Sequence, residues 1–315
     1  MKPVLFATGL GKDLNRAENI RVLYDAYDGE KAFVSTHDPG FENLVGSGKY
    51  ELLVIDVFPT VKPQTCIMIW HAIQGGKYIG LDQRGTYYRQ DMARLIDYII
   101  VAGRGGVDMF HRCTCVPKEN ILNLGMPRTD RYFEPMDFQP NPALSGKRVY
   151  LFAPTFRGRM DVPMPEIAWK VIDEQLMDNE VMLVKAHPYG REFNVQRCRH
   201  IAEVPRMDPT YGYLRTCDVV ITDYSSIMFD AYLLGKPAVL FEKEAGYATA
   251  RGMYLDYPEE YCSRYATNEK DMVQLARFAN GLKQTEKACL DYVADMCDGH
   301  SCERICMFIR EVNGQ

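Results

Sequence analysis

Four short stretches of this chain set hydroxyls, imidazoles and guanidinium groups directly after apolar runs. TDYSS (222–226) follows DVVI and leads into IMFDAYLLGKP, presenting Asp223, Ser225 and Ser226 where a helix should begin. PTFRGR (154–159) follows RVYLFA and presents Thr155, Arg157 and Arg159. His187 closes the run EVMLVKAH, and His71 closes TCIMIWH, so two of the six histidines stand at the ends of strand-like segments. Each has a simpler use on its own, since Ser or Asp before a helix is an ordinary N-cap and a histidine can be a structural hydrogen-bonder. Together they share one chemistry, the recognition of a negatively charged group. A helix start offers free N–H groups and the positive end of its dipole, and Ser225 and Ser226 add donors there. Arg157 supplies forked donors suited to phosphate oxygens, and His187 can donate to the same group. The set points to a diphosphate. The common nucleotide motifs are missing: there is no GxxxxGK[ST], and GLGKD near the N-terminus lacks GxGxxG spacing.

Residues placed after strands need a sheet to hold them. PVLFAT, KAFVST, ELLVIDV, TCIMIWH, DYIIVAG and ENILNLG read as strands, separated in part by the helical stretches ENIRVLYDAY, RQDMARLI and VDMFHRC. FEPMDFQPNPALSGK, at 133–147, reads as a linker. The alternation then resumes with the strands RVYLFAPT, EVMLVKAHP, DVVITD and PAVLFE and the helices PEIAWKVIDEQLM, DPTYGYLRTC, SSIMFDAYLLG and NEKDMVQLARFANG. Strands joined by crossover helices form a parallel sheet covered on both faces. The expectation is an α/β protein of two Rossmann-like domains, 1–138 and 139–315, facing each other across a cleft, with the last helix packing back toward the first. Ligands of such sheets bind beyond the carboxyl ends of the strands, which is where the polar residues above fall.

Bulk properties exclude other classes. The 315 residues are 47% hydrophobic and 25% charged, as in folded proteins rather than disordered ones. A formal net charge of −5 argues against general nucleic-acid binding. Apolar runs as short as LLVI cannot span a bilayer, and MKPVLFATGLGKD does not read as a signal peptide, so a cytoplasmic location is expected. The ten cysteines then read as reduced thiols packed as small hydrophobes. A zinc site could be drawn from Cys297, His300, Cys302 and Cys306, but no CxxC pair accompanies them. The plainer reading is a C-terminal helix, SCERICMFIREV, with Ile305, Phe308 and Ile309 as its buried stripe. No metal and no cofactor are expected.

IWHAIQGGKYIG (69–80), LGMPRTDRYF (124–133), YLFAPTFRG (150–158), KAHPYG (185–190), DVVITDYSSIMFDAYLLGKPAVLF (218–241), RGMYLDY (251–257) and DGHSCERI (298–305) follow one another as in a known family. The chain resembles the CDP-glycerol:poly(glycerophosphate) glycerophosphotransferases, the TagF/TagB-like enzymes of teichoic acid and capsule synthesis. The resemblance implies a GT-B fold and transfer of glycerol phosphate from CDP-glycerol to a hydroxyl of a lipid-linked or polymeric acceptor, with release of CMP. His71 falls at the family's general base, His187 at the histidine that contacts the diphosphate, and Ser225, Ser226, Thr155 and Arg157 at phosphate-binding positions. Asp223, Asp230, Arg251 and Asp130 lie within matched motifs without an assigned role. The resemblance further implies that one histidine from each domain meets the other across the cleft.

One departure bears on the substrate. Many family members read WHGTP where this chain reads WHAIQGG, so a ribitol phosphate transferase using CDP-ribitol stands beside the glycerol reading. A nucleotide-sugar glycosyltransferase or epimerase of the same fold is the further alternative. Lipid-linked acceptors imply a peripheral position at the inner leaflet of the membrane. Arginines 84, 89, 94, 104, 112, 128 and 131 could face anionic lipid there, or be solvated surface charges.

Overall fold

The structure, a computed structural model, describes residues 2–9, 18–78, 94–114, 116–135, 141–157, 165–187, 193–195, 197–244 and 252–314. The chain divides into two units, Met1–Glu134 with Asp291–Gln315, and Pro135–Leu290. The expected boundary at 138/139 thus moves to Glu134/Pro135, and the last segment is grouped with the first unit.

In the first unit, β1 (Val4–Thr8), β2 (Lys31–Ser35), β3 (Leu52–Ile55), β4 (Thr65–Ile69), β5 (Tyr98–Val101) and β6 (Ile121–Asn123) form one sheet in the order β2-β1-β3-β4-β5-β6. Every neighbouring pair is parallel. A parallel sheet is covered on both faces, so its central strands need continuous apolar runs instead of alternation. VLFAT and LLVI are buried at every position. Helices α1 (Asn19–Ala26), α2 (Phe41–Gly46), α3 (Arg104–Cys113) and α4 (Pro127–Asp130) complete the unit together with the C-terminal helix Ser301–Val312.

That C-terminal helix is held by the LGMPRTD motif. Asp130 accepts hydrogen bonds from the backbone N–H of Ser301 at 3.0 Å and of Cys302 at 2.7 Å, satisfying two donors of the helix's first turn. Gly125, at φ +93°, lies so close to the Met296 carbonyl and the Ser301 hydroxyl that a Cβ would stand 2.3 and 2.4 Å from them. Arg304 reaches back to the carbonyl of Leu124 at 3.0 Å and pairs with Asp298 at 2.8 Å. Two motifs far apart in sequence are therefore one structural joint, in which Asp130 caps the C-terminal helix. Ile305 and Ile309 are buried as expected, and Phe308 packs edge-on against Tyr98 at 5.1 Å.

In the second unit, β7 (Arg148–Phe152), β8 (Glu180–Val184), β9 (Ile201–Glu203), β10 (Val219–Thr222), β11 (Ala238–Phe241) and β12 (Tyr265–Ala266) form a parallel sheet ordered β12-β11-β10-β7-β8-β9. Counted from β7 as the unit's first strand, this is the 3-2-1-4-5-6 order of dinucleotide-binding folds. Helices α5 (Trp169–Gln175), α6 (Thr210–Thr216), α7 (Ile227–Leu233), α8 (Glu269–Phe278) and α9 (Gln284–Val293) belong to the same stretch of chain. Phe152, Ile172, Met182, Val184, Ile221, Val239 and Met272 share its core. Gly235, at φ +69°, ends α7, where the N–H of Gly235 bonds to Tyr232 and that of Lys236 to Ala231, both at 2.9 Å.

Most differences from the sequence reading have local causes. The helix expected over 165–177 spans only Trp169–Gln175, because its first residues are tied elsewhere: the Ala168 N–H donates to Glu269 at 2.9 Å and the Lys243 ammonium to the Glu166 carbonyl at 2.6 Å. The short β9 and β12 were not expected, and neither were α2 and α9. The helix expected over 89–96 lies mostly outside the described residues. Among the described cysteines none is paired, and burial pushes the Cys217 thiol up to about 12 and that of Cys306 to about 11.

In each sheet the strand order reverses once, between β1 and β3 and between β7 and β10. At the first reversal Asp56 accepts from the Thr8 hydroxyl and the Gly9 N–H, both at 2.7 Å. Burial pushes its carboxyl from 3.8 up to about 6, against those two hydrogen bonds, which favour the ionised form. The folded chain thus holds this proton to higher pH than the unfolded chain. The sign follows: the contribution to stability is complete below the unfolded pKa of 3.8 and is lost as pH rises to about 6. Asp56→Asn should therefore gain on the wild type by roughly 2 kcal/mol between pH 4 and pH 7 in urea unfolding, and parallel stability profiles would contradict this. Asp130→Ala, measured the same way at constant pH, should cost roughly 2 to 3 kcal/mol; an unchanged midpoint would show the cap to be dispensable.

Candidate functional site

The strand order reverses between β7 and β10, the position at the carboxyl edge of such sheets where ligands generally bind. Asp223, one residue past β10, governs that place. Its Oδ1 accepts the Thr155 N–H at 2.7 Å and the Tyr224 N–H at 2.6 Å, and its Oδ2 pairs with the Arg157 guanidinium at 2.7 Å. The Arg157 and Asp223 side chains are only 10% and 5% exposed. Below this knot the Thr222 hydroxyl donates to the Ala153 carbonyl at 2.7 Å. The chain after β7 is thus bolted to the chain at the end of β10 by two hydrogen bonds and one charge pair.

The surroundings reinforce the bolt. Arg157 lies over the Tyr224 ring at 5.4 Å, and Tyr224 packs against Tyr257 at 4.9 Å. The Tyr224 hydroxyl donates to Glu242, which also accepts from Tyr265 at 2.6 Å. Burial, with Glu242 beside it, pushes the Tyr224 phenol well above its ordinary range, so it stays a neutral donor.

Three hydroxyls stand around the knot. Thr155 Oγ1 is buried and has no hydrogen-bond partner among the described residues. Ser225 and Ser226 are half-buried at the start of α7, and the Ser226 side chain makes no capping hydrogen bond. His187, three residues past β8, is exposed and lies flat against Phe156, ring centroids 5.0 Å apart and planes 11° apart. Lys185 is buried beside it and donates to the Arg206 carbonyl at 2.6 Å, and burial lowers the pKa of its ammonium.

In the first unit, His71 follows β4 in a loop clamped on both sides. Asn19, at the start of α1, donates to the Trp70 carbonyl at 2.8 Å while its own carbonyl accepts the Arg128 N–H at 3.1 Å. Gln74 donates to the Ala72 carbonyl at 2.9 Å and accepts the Ala102 N–H at 3.1 Å. The imidazole rests on the buried Trp70 ring, centroids 4.4 Å apart, and Trp70 packs against Phe58 and Phe110. The WHAIQGG departure thus acquires a physical use, since Gln74 ties the histidine loop to β5.

Thr155, Arg157, Asp223, Ser225, Ser226 and His187 all lie at the carboxyl end of one sheet, and His71 lies at the carboxyl end of the other. Arg157 is committed to Asp223, so its first task is to fix the loop. Asp230 is buried within α7, Asp130 caps the C-terminal helix, and Arg251 lies outside the described residues. Of the seven arginines, 84 and 89 also lie outside them, and Arg104 pairs with Asp291 at 2.5 Å. No group of three or more potential metal ligands occurs among the described residues, where His300 contacts Glu303 and Cys302 points its thiol to the Pro127 carbonyl. Among the same residues no helix is long and apolar enough to cross a membrane.

The profile of the CDP-Glycerol:Poly(glycerophosphate) glycerophosphotransferase family matches residues 44–311, a span that holds His71, Thr155, Arg157, His187, Asp223, Ser225 and Ser226. The chain belongs to this family. The teichoic acid poly(ribitol-phosphate) polymerase of Bacillus spizizenii is 25% identical over 288 residues, covering 81% of this chain and 45% of that protein. The teichoic acid glycerol-phosphate primase of Bacillus subtilis strain 168 is 26% identical over 221 residues, covering 65% of this chain and 57% of that protein. The chain spans about half the length of these curated relatives. Among solved structures, the wall teichoic acid polymerase TagF superposes with a TM-score of 0.75 at 18% identity, covering 99% of this chain and 89% of that one. The UDP complex of Staphylococcus aureus MnaA superposes at 0.67 with 13% identity, covering 100% of this chain and 97% of that one. These likenesses show the GT-B-like fold of this glycerophosphotransferase family member, two parallel-sheet α/β units.

Asp223 is the interaction on which the second-unit site hangs. Asp223→Asn keeps an acceptor but removes the carboxylate charge that faces the buried Arg157 guanidinium, and should destabilise the protein by about 3 to 5 kcal/mol. Urea unfolding measures this, and a loss below 1 kcal/mol would mean the pair does not hold the loops together.

Proposed function

We propose that this chain transfers a polyol phosphate, glycerol phosphate in the family's own description, from a CDP-linked donor to a hydroxyl of a lipid-linked or polymeric acceptor, releasing CMP. The observation that carries the reading is the Asp223 knot at the strand-order reversal between β7 and β10, which ties the Thr155 loop to the chain that presents Ser225 and Ser226. A buried hydroxyl such as Thr155 Oγ1 costs roughly 1 to 3 kcal/mol when unsatisfied. A phosphate oxygen of the donor would satisfy it. The serine hydroxyls and His187 would donate to the same diphosphate, where charge grows as the leaving group departs.

His71 serves as the general base. It takes the proton of the acceptor hydroxyl, whose oxygen attacks the phosphorus that carries the polyol; the bond from that phosphorus to the bridging oxygen breaks, and CMP leaves with the electron pair. The clamp made by Asn19 and Gln74 supports this role, since a proton acceptor must be held in place to be effective. Relatives named for glycerol phosphate and for ribitol phosphate both match the chain, so CDP-ribitol is the second donor to test.

The test supplies CDP-glycerol and CDP-ribitol separately, with a lipid-linked glycerophosphate acceptor, and measures CMP. Release from one of them with transfer to the acceptor is expected, and His71→Ala should lower turnover by about 10² to 10⁴ while donor binding persists. Near-normal turnover of that variant would remove the base assignment. Release of a nucleoside diphosphate from a nucleotide sugar, with no CMP from either CDP-polyol, would replace the reading by glycosyl transfer.

A further inference from the structure

Phe156 is an exposed aromatic ring, 37% accessible, between Thr155 and Arg157, whose side chains are buried. The second unit's core takes Phe152 and Phe241, with Phe193 packed against it, and leaves Phe156 out. Its ring instead covers one face of His187 in a near-parallel stack, 5.0 Å between centroids and 11° between planes.

Three features make this stack a built arrangement. β7 and β8 are paired with Phe152 opposite Val184, and the Lys185 N–H extends the ladder to the Phe152 carbonyl at 2.9 Å. The two chains therefore leave the sheet side by side, and four residues on one and three on the other bring the rings together. Both sequence neighbours of Phe156 are gripped by one carboxylate: Asp223 accepts the Thr155 N–H and pairs with Arg157, each at 2.7 Å. Finally, the outer torsion of a histidine is broad and roughly two-fold, so an exposed imidazole needs a neighbour to fix its plane.

We propose that Phe156 is the positioning residue for His187, setting the imidazole plane so that its in-plane N–H is aimed at the donor diphosphate. The inference deepens the transferase reading and rests on it for the identity of the ligand. The stack covers one ring face, so a phosphate oxygen is met through the ring edge, where imidazole donors lie. The positioning line then runs from Asp223 through the loop at 155–157 to Phe156 and on to His187. A leucine at 156 would fill similar volume without a flat surface; a tyrosine would keep the surface.

The test has two arms. In the first, with no substrate present, the ring protons of His187 are followed by NMR, assigned by their loss in His187→Ala. They should lie upfield in the wild type and in Phe156→Tyr, shielded by the stacked ring, and return toward ordinary positions in Phe156→Leu. In the second arm, Phe156→Leu should lower kcat for CMP release by about 2- to 10-fold, the range of one aromatic pair. Phe156→Tyr should restore it, and Phe156→Leu should cost nothing further in the His187→Ala background. Unmoved His187 resonances in Phe156→Leu, or a loss that adds in full to that of His187→Ala, would overturn the proposal. If the wild type releases no CMP from either CDP-polyol, the transferase reading falls on its own, and the NMR arm still decides whether Phe156 sets the His187 ring.

Discussion

The second unit turns on one carboxylate. A parallel sheet whose strand order reverses must send two neighbouring loops apart, and the space between them is useful only if the loops cannot drift. Asp223 supplies that restraint by accepting two backbone N–H groups and a guanidinium. Hydrogen bonds to a charged group are worth about twice neutral ones, and they gain further where water is excluded. The ion pair is nearly buried, so it contributes chiefly by penalising any arrangement that leaves Arg157 or Asp223 alone. Around this knot stand Thr155, Ser225, Ser226 and the stacked His187, the residues proposed to meet the donor diphosphate.

The first unit solves the same problem differently. At its reversal Asp56 binds the Thr8 hydroxyl and the Gly9 N–H with no ionic partner among the described residues, and burial raises its pKa. His71 owes its position to two side-chain amides, those of Asn19 and Gln74, which satisfy the carbonyls on either side of it. The C-terminal helix completes this unit through Asp130 and the glycine at 125, so the LGMPRTD and DGHSCERI motifs form one structural joint.

Much of this was legible in the residue order. Continuous apolar runs such as VLFAT, LLVI and VVIT announce parallel strands, and polar residues placed directly after them announce the carboxyl edge of each sheet. His71, Thr155, His187, Ser225 and Ser226 were found by that rule alone. The rule failed where a residue's partner is distant. Nothing local distinguishes Asp223 as an organiser from Asp223 as an N-cap, and nothing in TFRG indicates that Arg157 turns inward to a carboxylate 66 positions away. Phe156, Gln74 and Asn19 carried no signal of their own, because an exposed phenylalanine or an isolated amide has too many ordinary uses.

The sequence by itself determined the class of fold, two parallel α/β units, and the set of strand ends at which chemistry can occur, since hydrophobic period and placement are local properties. Tertiary structure decided which of those residues face a ligand and which hold the frame. That division depends on strand order: only when β10 docks against β7 does Asp223 meet Thr155 and Arg157, and only when β8 docks on the other side of β7 does His187 meet Phe156. Pairing partners of this kind are separated by dozens of residues, and their encounter is fixed by the sheet as a whole.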